Sequence, residues 1–359
     1  MTLPKITIVT PSLNQGKFLE ETIKSVLKQN YPKLEYIIMD GGSTDESLKI
    51  IEDYSEELHY WESNSDHGQA HAINKGFKMA TGDIVSWLNS DDKLCGGALH
   101  CIAEYFSNHP NKYLIHGSGL YFDDKGRYWY ANKNYKDIQS RYITHFAFDL
   151  QPSVFFRRQV FDEIGLLDEE FNLHFDTEFF VRIALNYGIL KINENLSLFR
   201  QHNLRKSNIE YPKMKYPKEF VSLYSRVLRS FQSVANYEDV DRYVGIAKYL
   251  SLFTHDDVKY SIKNTFNSKE LERSFFIYLQ QCCEFYYLGL DYERVLRILS
   301  VIKKELPDHY ENDRDLLRIA IRLPIINILR KIPQWILLGM RLKIREFSNI
   351  YSRRYLIKK

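Results

Sequence analysis

Cysteine is scarce in this chain of 359 residues: Cys95, Cys101, Cys282 and Cys283 are the only four. None forms a C-x-x-C pair, and the adjacent Cys282 and Cys283 make a poor bridge, so reduced thiols in a cytosolic protein are expected. Long apolar runs are missing as well. No window supplies the ~18 uninterrupted apolar residues of a spanning helix. The nearest approach, IPQWILLGM at 332–340, is about half that length and lies between basic residues. The opening MTLPKITIVTP enters a strand without the charged segment and apolar stretch of a secretion signal. An excess of one charge is lacking too: 49 Lys and Arg against 46 Asp and Glu leave a formal +3. That is too little to argue for a nucleic-acid partner. These absences predict a cytoplasmic protein, at most peripheral on the inner face of a membrane.

What the chain does hold is material for a core, with 44% hydrophobic and 14% aromatic residues. The length predicts one large domain with an appendage. Short β-rich runs alternate with helical periodicity over the first 120 residues, which predicts an α/β fold with a mostly parallel sheet flanked by helices. The expected strands are Lys5–Thr10, Leu34–Met39, Leu58–Trp61, Asp83–Leu88, Tyr113–Gly117 and Gln151–Phe156. Helices are expected over Gly16–Gln29, Thr44–Tyr54 (capped by Ser43 or Thr44), Gln69–Ala80 and near Gly97–Phe106, with a hairpin at YFDDKGRYWY.

After about residue 205 the pattern turns almost continuously helical, near 217–234, 239–253, 269–288, 291–304 and 312–330. The expected organisation is a first domain over 1–208, a helical bundle over 209–321 and a tail over 322–359. In that tail Arg322, Arg330, Lys331, Arg341, Lys343, Arg345, Arg353, Arg354, Lys358 and Lys359 face only Glu346 in charge, with Trp335, Ile336, Leu337 and Phe347 among them. Such a basic amphipathic segment suits an anionic membrane surface. Packing of its apolar side on the domain explains it equally well.

Four successive strand ends carry polar loops: TPSLNQG (10–16), MDGGSTD (39–45), SDHGQAHAINKG (65–76) and NSDDK (89–93). Ligands gather at such ends in open α/β sheets, where helix N-termini and loop amides converge. The last loop is the most telling, because Asp91 and Asp92 stand side by side at the mouth of the apolar run IVSWL. Paired carboxylates repel, and burial makes their joint ionisation costlier.

The segments TPSLNQGKFLEETIKSVLKQNYP, YIIMDGGSTDESLKII, DHGQAHAINKGFKMATGDIVSWLNSDD and QPSVFFRRQVFDEIGLLDEEF resemble, in order and spacing, the motifs of family 2 glycosyltransferases with the GT-A fold. The resemblance covers about residues 4–208 and implies inverting transfer of a sugar from a nucleotide diphosphate donor, with Mg²⁺ or Mn²⁺ bridging the diphosphate. A hard divalent cation takes oxygen ligands from carboxylate, phosphate and water, and its charge relieves the repulsion between neighbouring acids. By this resemblance Asp91 is the direct metal ligand, with Asp92 behind it or as an alternative ligand. Asn89 stands where an acid is common and, with Ser90, is expected on the donor side.

The resemblance places Pro11, Ser12, Asn14 and Asp40 at the nucleoside, with Gly41 where many members carry a second acid. Asp66, Gly68, Gln69, Asn74 and Lys75 are expected near the donor sugar and diphosphate. His67 and His71 have no convincing spacing for zinc. Asp176 is the expected general base and Glu178 its neighbour, although Asp176 also reads as a helix cap. Arg200 and His202, in FRQHNLRKS, are expected to stabilise the departing diphosphate, with Arg205 or Lys206 as helpers. Gln151 is assigned to the acceptor side. The acceptor implied is a glycan or lipid-linked hydroxyl, as in surface-polysaccharide synthesis. A sugar nucleotidyltransferase and an inactive sugar-nucleotide-fold scaffold with a partner-binding tail remain as alternatives. PSLNQGKFL lacks the Gly-rich, basic loop of the former.

Overall fold

The computed structural model describes residues 3–130, 150–203, 205, 216–234, 238–254, 258–288, 291–313, 316–317 and 319–320. Ile6–Ser12 (β1) pairs in parallel with Leu34–Asp40 (β2), and β2 with Tyr60–Ser63 (β3). Gly16–Leu27 (α1) and Ser47–Asp53 (α2) make the crossovers. Gln69–Met79 (α3) then returns the chain to Ile84–Trp87 (β4), which lies parallel to β1 on its other side. Every residue of β1 and β4 is buried, as expected of central parallel strands covered on both faces.

Lys93–Leu94 (β5), Ala98–Asn108 (α4), Leu114–Asp123 (β6), Tyr128–Tyr130 (β7) and Val154–Arg157 (β8) follow. Val160–Ile164 (α5), Phe175–Asn186 (α6) and Ile189–Gln201 (β9) complete the sheet region. Among the described residues the strand order is β3-β2-β1-β4-β8-β6-β9-β5, with β7 on β6. The chain leaves β1 toward β2 on one side and reaches β4 on the other. A crevice therefore opens between the C-terminal ends of β1 and β4, the switch point where doubly wound sheets take their ligands.

Packing fixes this crevice. Leu19, Ile23 and Val26 of α1 join Ile6, Ile8, Ile38 and Ile84 in the core beneath one face. Thr22 is buried within the same stripe. α3 lies so close to β1 that a Cβ on Gly76 would stand 2.4 Å from Val9. An aromatic cluster joins Phe77, Trp87, Phe156, Phe161, Phe179 and Phe180, with Trp87 stacked on Phe180 at 5.4 Å. Phe175 lies 6.3 Å from Trp87, which sets the first turn of α6 against the end of β4.

Several expected boundaries shift. The third strand is Tyr60–Ser63, because Ser55–Glu57 forms a 3₁₀ turn first. The second helix begins at Ser47 without a side-chain cap, since the Ser43 hydroxyl donates to Asp40 instead. Gln151–Ser153 is a 3₁₀ turn and β8 starts after it. The long strand β9 and the short β5 had no counterpart in the sequence reading. The hairpin is present as β6 and β7, with Tyr121 opposite Trp129 and Phe122 opposite Tyr128.

The chain divides into two compact units, Met1–Tyr278 and Leu279–Lys359. Tyr216–Gln232 (α7) and Glu238–Tyr249 (α8) belong to the first unit, and Ser268–Leu288 (α9) crosses the boundary. Within the first unit Tyr224 stacks on Tyr278 at 3.9 Å and Tyr243 on Phe275 at 4.6 Å. In the second, Asp291 caps Tyr292–Glu305 (α10) by accepting the Arg294 amide, and Pro307–Asn312 (α11) follows. The helix expected over 312–330 lies mostly outside the described residues, as do Lys206 and the whole tail 322–359.

Candidate functional site

The Asn89–Asp92 turn closes on itself through the Asp92 amide and the Asn89 carbonyl, 3.0 Å apart. Thr22 anchors it from α1: its hydroxyl reaches the carbonyls of Ser90 (2.9 Å) and Asp92 (2.7 Å). The two acids then part company. Asp91 is partly exposed, and its Oδ2 lies 2.9 Å from His202 Nε2. Asp92 turns inward, 1% exposed, where its Oδ1 accepts the Arg200 amide at 3.0 Å. Burial, and after it the charge of Asp91, push the Asp92 carboxyl well above the usual carboxylate range. The repulsion raised by the sequence is thus met by turning the two carboxylates apart. Asp92 as an alternative cation ligand is corrected accordingly: its carboxylate faces the protein interior.

Arg200 also departs from its expected role. Its guanidinium is 4% exposed and lies between the rings of Phe18 (4.7 Å) and Phe122 (4.4 Å). It donates to Asp124 (3.1 Å), Glu21 (2.9 Å) and the Asp91 carbonyl (3.0 Å). Such a planar fork, bonded at each nitrogen, braces the acidic turn. The expectation that it meets a diphosphate directly is corrected on that ground. Arg205 donates to Gln201 and lies over Phe199.

The nucleoside loops are tightly organised. Asp40, 2% exposed, accepts the amides of Gly42 and Ser43 and the hydroxyls of Ser43 and Ser63. Asn14, at φ 53°, accepts the Thr44 amide at 2.8 Å and so joins the first loop to the second. Pro11 lies buried in β1, beside Met39. The Ser12 hydroxyl is buried with no hydrogen-bond partner, a state that asks for a ligand atom or a water.

Gly41 has a physical reason to lack an acid: a Cβ there would lie 2.6 Å from Asp66 Oδ2. Asp66 therefore brings its carboxylate from the third loop into the space a side chain at 41 would need. Its Oδ1 accepts the Gly68 amide at 2.7 Å, and Gly68 takes a φ of 121° that favours glycine. Gln69 donates to Asn89 Oδ1 at 2.8 Å. Gln151, expected at the acceptor, holds the Trp87 carbonyl at 2.9 Å and is buried against Asn89.

Two expected donor residues face elsewhere. Asn74 is buried and bonds both the amide and the carbonyl of Leu167, and Glu169 as well. Lys75 pairs with Glu62. The polar ends of both are engaged by other parts of the fold.

Asp176 stands in the first turn of α6, two residues beyond the position that caps it, and its Oδ1 accepts the Thr177 amide at 2.6 Å. Burial raises its carboxyl above the usual range, with the charge of His174 opposing. A carboxyl shifted upward at the edge of the crevice suits proton transfer. Glu178 points away, in a bidentate pair with Arg182 at 2.8 Å. Its role is to orient Arg182, which holds the carbonyls of Ile164 and Leu166. Sequence reasoning missed Thr22, Glu21, Asp124 and Glu219. Thr22 alone left a signal, a hydroxyl inside an otherwise apolar helical stripe.

As a donor set for a cation, the Asp91–His202 pair offers one carboxylate oxygen and one imidazole nitrogen. That chemistry fits a divalent ion such as Mn²⁺ that draws its remaining ligands from phosphate and water. Among the described residues no cluster of three metal-ligating side chains occurs.

Residues 7–165 match the model of glycosyl transferase family 2. That segment is less than half of the chain and is similar to the family over its length; the fold is of the GT-A type. It is 28% identical over 194 residues to a PGL/p-HBAD biosynthesis glycosyltransferase of Mycobacterium bovis (strain BCG / Pasteur 1173P2), covering 53% of this chain and 73% of the relative. A glycosyltransferase of Bacillus subtilis (strain 168) named for teichuronic acid biosynthesis, TuaG, is 42% identical over 95 residues, 25% of this chain and 37% of that one. The crystal structure of S. aureus TarS 1–349 in complex with UDP-GlcNAc shares the fold at a TM-score of 0.55 and 18% identity, over 88% of this chain and 92% of that chain. These likenesses are those of an enzyme of the glycosyltransferase type. No helix among the described residues is long and apolar enough to cross a membrane.

Proposed function

We propose that the enzyme moves a sugar, with inversion, from a nucleotide diphosphate donor to a hydroxyl of a glycan or lipid-linked acceptor, in polysaccharide or glycolipid synthesis. The observation that carries this reading is the pairing of the partly exposed Asp91 with the nearly buried His202, 2.9 Å apart beyond the end of β4, while Asp92 is withdrawn. A bound Mg²⁺ or Mn²⁺ supplies positive charge to the departing diphosphate. Asp91 and His202 would hold it, and Arg200, Thr22 and Asp92 would keep that pair in place.

Asp176 takes the proton of the acceptor hydroxyl as its oxygen bonds to the anomeric carbon, and the bond from that carbon to the diphosphate oxygen breaks. For this Asp176 must be ionised, and a carboxyl raised by burial accepts a proton more readily than a free one. The unpartnered Ser12 hydroxyl, the Asn14 turn and the Asp66 carboxylate line the nucleoside side. A UDP-sugar is the first donor to test, since TarS was solved with UDP-GlcNAc. The basic stretch 322–359 suits an anionic surface on the inner membrane face, where lipid-linked acceptors lie.

Thermal unfolding of the full chain with Mn²⁺ and a panel of UDP-, GDP-, CMP- and dTDP-sugars tests the donor class. One base type should raise the midpoint by several degrees, since ligand at 100 times its Kd adds about 2.7 kcal/mol to the native state. Equal indifference to every sugar nucleotide contradicts the reading.

A further inference from the structure

The stretch between α5 and α6, residues 165–174, leads directly into Asp176 and has almost no secondary structure of its own. It is nevertheless pinned from three sides. Arg182 holds the carbonyls of Ile164 and Leu166, and Asn74 holds both backbone groups of Leu167. The third side is α7, which follows the sheet region in the chain.

Two charged residues of α7, seven positions apart and therefore on one face, supply that hold. Arg226, 3% exposed, donates to Asp168 at 2.5 Å and Glu170 at 3.0 Å. The Glu219 carboxylate receives three consecutive backbone N–H groups: Asn172 at 3.0 Å, Leu173 at 2.9 Å and His174 at 3.0 Å. The His174 ring also reaches it, with Nδ1 at 3.3 Å from Oε2.

Successive amides converging on one carboxylate form an anion-binding concavity, filled here by a side chain from a distant helix. Burial works against ionisation of Glu219, but the His174 hydrogen bond and the amides of Leu173 and Asn172 bring its carboxyl below the usual range. It therefore carries a full charge beside His174, the residue at the capping position of α6 and two before Asp176. The charge of His174 in turn acts on the Asp176 carboxyl.

We propose that Glu219 is a positioning residue for catalysis: by gathering the amides of residues 172–174 and the His174 ring, it sets the direction of the Asp176 carboxylate. This rests on the reading of Asp176 as the base. It gives α7 a part in the reaction although α7 itself touches no reacting atom. Reacting groups displaced by about 1 Å can lose on the order of 100-fold in rate.

The test uses the full chain with Mn²⁺ and an equal mixture of UDP-GlcNAc, UDP-glucose, UDP-galactose and GDP-mannose, following release of nucleoside diphosphate. Glu219→Gln should lower kcat about 10- to 100-fold with KM for the donor changed less than about twofold. Glu219→Asp, shorter but still charged, should fall between Gln and wild type, and it serves where Gln does not fold. In an Asp176→Asn background Glu219→Gln should add less than about a twofold further loss, because a residue acting through another has nothing left to position.

Full multiplication of the two losses, or a loss confined to KM, overturns the role of Glu219 and leaves Asp176 as base. If Asp176→Asn retains wild-type turnover, the base assignment itself fails and takes this role with it. No release from the wild-type chain contradicts both.

Discussion

Asp91 Oδ2 and His202 Nε2 stand 2.9 Å apart across 111 positions of sequence, joining the turn after β4 to the residue just past β9. One is partly exposed and the other nearly buried, at 21% and 7% side-chain exposure. The imidazole is thereby fixed against the Phe18 ring, 4.6 Å away. His202→Ala should weaken Mn²⁺ between about 10- and 100-fold, the scale found when a group that orients or supports a metal site is removed. Titration of Mn²⁺ by calorimetry in the presence of UDP checks this. Unchanged affinity would remove His202 from the site.

Replacement of Asp176 by Asn should reduce kcat on the order of 10²- to 10⁴-fold, the usual range for a lost general base. Nucleotide binding should persist. The base works ionised, so the wild-type rate should climb with pH as Asp176 loses its proton. Because burial raises that carboxyl, the climb should be centred above the ordinary Asp value of 3.8. The variant should lose this limb of the profile, and an unchanged limb assigns it to another group.

Asp66 and Gly41 share one small space, so an alanine at 41 must push the carboxylate aside. Gly41→Ala should weaken UDP binding about tenfold or more while shifting the unliganded melting temperature little. Binding equal to wild type in a UDP titration would show that the Asp66 position is immaterial to the nucleoside.

At the opposite end of the sheet, Glu35 is fully buried and accepts from Lys5, Thr7 and Thr81. Burial alone would raise its carboxyl, but these hydrogen bonds outweigh it and hold the group at about 2, below its ordinary 4.5. A depressed acid stabilises the fold above the unfolded value, and the benefit fades as pH falls from about 4.5 through about 2. Its size is about 3 kcal/mol. Urea unfolding at pH 7 should find Glu35→Gln weaker by roughly 2–3 kcal/mol, with the gap to wild type closing toward pH 3. A gap that does not depend on pH contradicts this account.

The parallel core and its loops were legible because each apolar strand ends in a cluster of polar and glycine residues. Strand β9 was not. Its sequence ILKINENLSLFRQ mixes polar and apolar residues without strict alternation, and its pairing with β6 passes two register shifts. The closeness of Asp91 to His202, and of Asp66 to Gly41, brings together residues that the resemblance to family motifs had singled out. Direction was not readable. Spacing could not tell that Asp92 and Arg200 face inward and bond one another, or that Asn74 is engaged by Leu167. The contribution of Glu219 comes from long-range contacts that no local pattern marks, and Thr22 showed only as a hydroxyl within an apolar stripe.

Release of nucleoside diphosphate from a protecting sugar nucleotide, with and without Mn²⁺, compared between wild type and Asp91→Ala, addresses the central claim most directly. The account predicts metal-dependent release by wild type and a loss of at least about 100-fold in the variant. Release that ignores Mn²⁺, or that survives Asp91→Ala undiminished, contradicts it.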